Sequence, residues 1–208
     1  MSELVMQDNE RLSQAMRPSG FTGRVFGWLM TRSNKKAYRW AIDQLRPASP
    51  ASYLEIGFGT GAQLELAIRK LSIKKASGVD PSPLMLETAG KRLKRYRRKA
   101  DIDLKLGDDN SLPASGPFDA IAAMHSFQFW RDPEAPLARI RSMLAPQGRF
   151  VIALRRHGRS ARRDVPNPLS RMPDEISAAC AAFEKAGFTI LAIQPISKSS
   201  HGIVLGCG

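Results

Sequence analysis

Cysteine and histidine are scarce, at two and three residues among 208. Cys180 and Cys207 are too few for a disulfide framework, and no spacing joins them to a histidine as metal ligands, so no metal centre is expected. Carboxylates are also few: 19 Asp and Glu stand against 32 Lys and Arg, for a net charge of +13. That excess implies attraction to phosphate or anionic surfaces and says nothing about fold. No apolar run approaches the roughly 20 residues that a bilayer crossing needs. Met1 to Glu10 is polar and acidic, without the basic and apolar regions of a signal peptide, so a soluble, cytoplasmic protein is expected. Internal repeats are lacking too, and the length suits one domain with a real core.

What is present is organised around Tyr53-Leu54-Glu55-Ile56-Gly57-Phe58-Gly59-Thr60-Gly61. The apolar run to Ile56 reads as a short buried strand. Three alternate glycines follow, and Leu64, Ala67, Ile68 and Leu71 recur behind them at helical spacing. A strand, glycine turn and helix bring a nucleotide-like ligand onto bare backbone, because glycine supplies positive φ and no Cβ blocks the approach. Gly57, Gly59 and Ala62 also satisfy the dinucleotide pattern G-x-G-x-x-[G/A], which keeps an NAD reading open. Glu55 tilts against it: a carboxylate two positions before the first glycine repels a pyrophosphate and suits a ligand carrying an ammonium and a sulfonium. The next strand, Ala76 to Val79, ends in Asp80, about 20 residues beyond the glycines, where two accepting oxygens match a ribose diol under either reading.

With Glu55 and Gly61 included, the turn resembles the first motif of the class I S-adenosylmethionine-dependent methyltransferases, an acidic residue followed by x-G-x-G-x-G. The resemblance, to members of the type 11 and ubiquinone-biosynthesis kind, covers about residues 50–206. It implies an α/β fold, a Rossmann-like three-layer sandwich on a seven-stranded, mostly parallel sheet of order 3-2-1-4-5-7-6 with strand 7 antiparallel. It implies S-adenosyl-L-methionine as cofactor, with contacts at Glu55, Gly57, Gly59, Gly61, Asp80, Pro81, Met85 and His125. Gly107-Asp108-Asp109-Asn110-Ser111-Leu112-Pro113, after a strand carrying Ile102, Leu104 and Leu106, is similar to the family's Gly-Asp-x-x-x-Leu-Pro segment. There Asp108 would accept from the adenine amino group and the Asp109 amide would meet the ring. Taken alone the segment is an ordinary Asx turn.

A fourth strand, Phe118 to Met124, runs into His125-Ser126-Phe127-Gln128-Phe129-Trp130. Ligands of open α/β sheets sit at the carboxyl ends of strands, which makes His125, Gln128 and Trp130 the candidates to face a methyl acceptor. For His125 a plain strand-end residue bonded to backbone is the alternative. A helix from Asp132-Pro133 with Leu137, Ile140 and Leu144 inward, a Pro146-Gln147-Gly148 turn and a strand from Arg149 to Leu154 follow. A basic loop (Arg155, Arg156, His157, Arg159, Arg162, Arg163), a helix from Pro173 to Ala186 and strands at Phe188–Ile193 and Gly202–Gly206 complete the pattern.

Residues 1–46 read as an N-terminal arm and 47–208 as the main domain, joined at the linker Arg46 to Pro50. Gly20, Gly23 and Gly27 weaken any long helix in the arm. Ser33 or Asn34 can cap a helix with Ala37, Ala41 and Leu45 in one stripe beside Tyr38 and Trp40. The arm is either a lid over the acceptor pocket or a cover for one sheet edge. The run Lys91, Arg92, Lys94, Arg95, Arg97, Arg98 and Lys99, opposite Met85, Ala89, Leu93 and Tyr96, is either a phosphate-tracking patch or a solvated face suited to a helix C-terminus. Phe21, Phe26, Trp28, Tyr38, Trp40 and the Phe127–Trp130 aromatics favour an apolar or aromatic small-molecule acceptor. The N-methylating Asn/Asp-Pro-Pro-Tyr motif is absent from the fourth strand end, which counts against exocyclic amines on nucleic-acid bases. An RNA acceptor, or a lipid reached at a membrane surface, is the second reading; an NAD-dependent oxidoreductase and a non-catalytic binding protein stand behind it. Methyl transfer in line from a sulfonium rests on positioning. Should a general base be needed, His125 is nearest and His157 a weaker bid.

Overall fold

Two helices, α1 (Gly20–Ser33) and α2 (Lys35–Leu45), precede an alternation of strands and helices. It runs β1 (Ser52–Ile56), α3 (Ala62–Lys70), β2 (Lys75–Asp80), α4 (Pro83–Leu93), β3 (Asp101–Leu106) and β4 (Phe118–Met124). Then come α5 (Glu134–Met143), β5 (Leu144–Arg156), a short β6 (Ser170–Arg171), α6 (Pro173–Lys185), β7 (Phe188–Ser197) and β8 (Ser200–Cys207). The computed structural model describes residues 17–113, 116–130, 132–156, 170–171, 173–198 and 200–207. His157, Arg159, Arg162 and Arg163 of the expected basic loop lie outside them.

The strands form one sheet of order β3-β2-β1-β4-β5-β8-β7, with β6 beside β5. Strands β1 to β5 pair in parallel, and β8 is antiparallel to both β5 and β7. With β6 set aside, this is the expected order, β8 standing as the antiparallel seventh strand. Chain order reverses between β1 and β4, so the crevice outside their carboxyl ends is the topological switch point where such sheets bind ligands. Alternation along the strands sends side chains to two cores. Tyr53, Ala120, Ala122, Val151, Ala153 and Val204 meet α2, α3 and α4 on one face. Leu54, Ile121, Phe150, Ile152 and Leu205 meet Leu137, Ile140 and Phe183 of α5 and α6 on the other. The result is a three-layer sandwich.

Three local features differ from the sequence expectation. First, α1 runs unbroken through Gly23 and Gly27, its only buried residues. A Cβ on Gly27 would lie 3.1 Å from Thr60 Cγ2 and 3.2 Å from Met85 Cε, so the glycine that weakens the helix is what lets it seat. Second, β5 starts at Leu144, and the Pro146-Gln147-Gly148 segment is a bulge: register moves from Phe118↔Leu144 to Ala120↔Arg149. Third, Asn34 occupies the cap position of α2 but makes no cap bond; its Oδ1 instead accepts from Arg155 Nη2 at 3.4 Å. Helix α2 is built into the first core through Ala37, Ala41, Ile42 and Leu45, and the Trp40 indole lies on Gly202 of β8, where a Cβ would stand 2.2 Å from the ring.

Candidate active site

The glycine turn leaves β1 at the switch point and enters α3. Gly57, Gly59 and Gly61 all have positive φ, at 78°, 51° and 73°. A side chain on Gly57 would strike Ser126 (2.5 Å to Cβ) and one on Gly61 would strike Ala89 (2.8 Å to Cβ). At Gly59, by contrast, nothing lies within 4 Å of the Cβ position. The outer glycines therefore fit the turn against its neighbours, while the middle one turns bare backbone to open space, the cradle a ligand needs.

Asp80 stands beside this cradle. It is 5% exposed; Oδ2 accepts from the Gly59 amide at 2.7 Å and Oδ1 from the Ser82 amide at 2.9 Å. Burial pushes its carboxyl up to about 6, against which the two amide bonds pull. Glu55 lies deeper, 1% exposed, and takes a 3.4 Å bond from the Tyr53 hydroxyl. Burial holds its carboxyl well above the usual range. On the far side of β2, Asp108 Oδ1 accepts from the Asn110 amide (3.0 Å) and Ser111 Oγ (3.1 Å), closing an Asx turn; Oδ2 takes no part in it. Asp109 is half-buried, and burial raises its carboxyl.

At the end of β4, His125 has φ +58°, a left-handed conformation that costs a non-glycine residue about 1–3 kcal/mol. Its amide donates to the Ala153 carbonyl at 2.9 Å, and its Nδ1 is buried without a partner. Burial first, and the Arg155 charge second, depress the imidazole to about 3, so it is neutral at physiological pH. Gln128 Oε1 accepts the Arg155 amide at 3.3 Å, binding the turn after β4 to β5. Trp130 departs from the expectation of an acceptor-facing ring: it is 8% exposed and packs on Phe127, centroids 4.9 Å apart, in the second core.

Comparison with known proteins now bears on this geometry. Residues 54–150, from β1 to β5, match the family model of a methyltransferase domain. The chain carries a class I S-adenosylmethionine-dependent methyltransferase domain. An uncharacterized methyltransferase of Bacillus subtilis, YdaC, is 25% identical over 82% of this chain and 89% of its own. The demethylmenaquinone methyltransferase of Thermotoga maritima is 33% identical over 53% of this chain, but only 46% of that enzyme is spanned. A solved S-adenosylmethionine-dependent methyltransferase from Clostridium acetobutylicum shares the fold with a TM-score of 0.65 at 15% identity, covering 84% of this chain and 92% of that one.

Residues that no motif marked also surround the glycine turn and the end of β2. Ser126 Oγ donates to the Ile56 carbonyl at 2.5 Å, clasping the ends of β4 and β1 beneath Gly57. Thr60 Oγ1 meets Thr31 Oγ1 of α1 at 2.6 Å, and its carbonyl accepts from Arg92 Nε at 2.8 Å. Arg17 Nε bonds the Pro81 carbonyl (2.8 Å) and Ser82 Oγ bonds the Pro18 carbonyl (2.6 Å). Together with Met85 under Gly27, these contacts lay the arm across the cradle's neighbours at the carboxyl edge of the sheet. Tyr38 of α2 senses Glu55 on one side and Arg155 on the other, and burial pushes its phenol up to about 12. Part of the basic run from Lys91 to Lys99 is consumed in holding the fold together. Glu65 accepts from Arg92 Nη1 (3.0 Å), Arg95 Nη2 (2.5 Å) and Tyr96 OH (3.0 Å), and Lys91 pairs with Glu87. Among the described residues no cluster of His, Cys, Asp or Glu has the makings of a metal site.

Proposed function

We propose that this domain transfers the methyl group of S-adenosylmethionine to a small apolar or aromatic acceptor. The observation that carries the reading is the cradle itself: three positive-φ glycines between β1 and α3, the middle one open to solvent, with the Asp80 carboxylate on its amide. In this reading Gly57, Gly59 and Gly61 give the cofactor bare backbone, and Asp80, beside Pro81 and Met85, takes the ribose hydroxyls. Asp108 and the Asp109 amide take the adenine, and Glu55 offers a buried acidic site toward the methionine end. The cofactor, when bound, supplies an electrophilic methyl on a good leaving group. The chain's own part is to hold the acceptor in line and exclude water. His125 stands as a neutral imidazole at the strand end that the acceptor would face, and Gln128 fixes the turn that carries it; Trp130 backs that turn from the core. An imidazole depressed to about 3 does not draw off the acceptor's proton, so an acceptor that ionises by itself fits this site best.

Titration calorimetry with S-adenosylhomocysteine and with NAD tests the cofactor assignment. Binding of the first alone is expected; binding of NAD alone would move the domain to the oxidoreductases. Labelled methyl incorporation into separated small-molecule, lipid and RNA fractions then tests the acceptor.

A further inference from the structure

Helix α1 is inside out. Its buried positions are Gly23 and Gly27, and its bulky apolar side chains point to solvent: Phe21 is 80% exposed, Val25 44%, Trp28 60% and Leu29 51%. Steps of four, three and one residue put these four on one ridge of the helix. A helix serving only as a cover would turn such residues inward and leave glycine outside. The charges that this stretch of chain itself carries have one sign. Arg17, Arg24, Arg32, Lys35, Lys36 and Arg39 are all exposed, and no Asp or Glu occurs between Glu10 and Asp43. The Arg32 guanidinium sits 5.8 Å from the Trp28 ring, leaving its long stem along the ridge and its charge at the rim.

We infer that the outer ridge of α1 is an interfacial anchor for an anionic lipid surface. An apolar strip with tryptophan, on a segment rich in cations and without a carboxylate of its own between Glu10 and Asp43, is the chemistry that lies at the boundary of headgroups and acyl chains; the Glu87 carboxylate of α4 interacts with Arg24 alone of these cations. A second copy of the chain would bring another positive surface against this one, and half of the ridge, Val25 and Leu29, is aliphatic, which suits acyl chains rather than stacked bases. The inner side of the same helix rests on Thr60 and Met85, next to the glycine turn. Docking through α1 therefore presents the cofactor cradle to the membrane surface. On the methyltransferase reading, acceptors dissolved in the bilayer become its substrates.

Vesicle flotation with the full chain tests the anchor independently of catalysis. The expected result is binding to vesicles of mixed phosphatidylcholine and phosphatidylglycerol, weakened by salt, with little binding to phosphatidylcholine alone. Trp28 emission should shift to the blue and be quenched by brominated acyl chains. Phe21→Asp with Trp28→Asp, and separately Arg24→Gln with Arg32→Gln, should each weaken binding about tenfold or more. Their S-adenosylhomocysteine affinity and thermal midpoint should stay at the parent's. A protein that stays in solution with anionic vesicles, binds neutral vesicles equally, keeps its binding in the Phe21→Asp/Trp28→Asp pair, or takes single-stranded RNA on this ridge instead overturns the inference. Loss of cofactor binding with vesicle binding intact would count against the methyltransferase reading alone.

Discussion

Replacing Asp80 by Asn separates two effects that one carboxylate combines. The folded carboxyl, raised to about 6 against an ordinary value of 3.8, binds its proton more tightly than the unfolded one. The stability it contributes is complete below the unfolded value and is lost as pH rises through the folded one. Between about pH 4.5 and pH 7 the loss amounts to about 2 kcal/mol at 1.36 kcal/mol per unit. The Asp80→Asn protein has no such titration. It does forfeit an acceptor, since one carbonyl oxygen cannot serve both the Gly59 and Ser82 amides, at a cost of about 1–3 kcal/mol. The absolute stabilities at neutral pH therefore come out close, and the slope is what discriminates. Urea melts at several pH values should show the parent losing about 2 kcal/mol relative to the variant over that interval. Glu55 feels the Asp80 charge, so removing it eases Glu55 as well, and the figure is a lower bound. Saturating S-adenosylhomocysteine, at about one hundred times its Kd, should add about 2.7 kcal/mol to the parent and much less to the variant. A stability difference flat with pH would refute the buried, proton-retaining carboxyl. A variant that binds the cofactor product as tightly as the parent would refute its place at the ribose.

Gly61→Ala places a Cβ at φ +73° within 2.8 Å of Ala89 Cβ, and should destabilise the fold by about 1–3 kcal/mol; an unchanged thermal midpoint would show that α3 and α4 are free to part there. Charge reversal in the turn after α4 should divide by position: Arg95→Glu, which opposes Glu65, lowers the urea midpoint, whereas Arg98→Glu, on an exposed residue, leaves it where it was. Equal effects would mean that the Glu65 cluster does not hold the helix.

The parts of the fold that the sequence announces are those where period and turn chemistry agree. The strand before Gly57, the helix from Leu64 and the acidic ends of β2 and β3 follow from alternation, helical spacing and glycine. The strand order came with the family resemblance. What sequence conceals is set by partners distant along the chain. Glycine inside α1 predicts a weak helix; only the Thr60 and Met85 surfaces opposite make close approach worth that loss. Trp130 beside a strand end reads as a site residue, yet Phe127 and the second core claim its ring. Ser126 and Arg92 reach the glycine turn from the turn after β4 and from α4, and nothing in their own neighbourhood marks them. The basic run on α4 offered a choice between ligand track and solvated face; pairing with Glu65 makes part of it neither.

The seat of Trp40 on Gly202 has a consequence for how the chain comes to be. Helix α2 leaves the ribosome long before β8, the strand it rests on, has been made. Strand β8 itself must slip between β5 and β7 before the indole has its floor. Through that interval the Trp40 ring has no permanent partner, and contacts of such separation in sequence form slowly. The Trp40 end of α2 thus stays uncovered until the chain is nearly complete, a window in which chaperone binding or aggregation competes with the last step of folding.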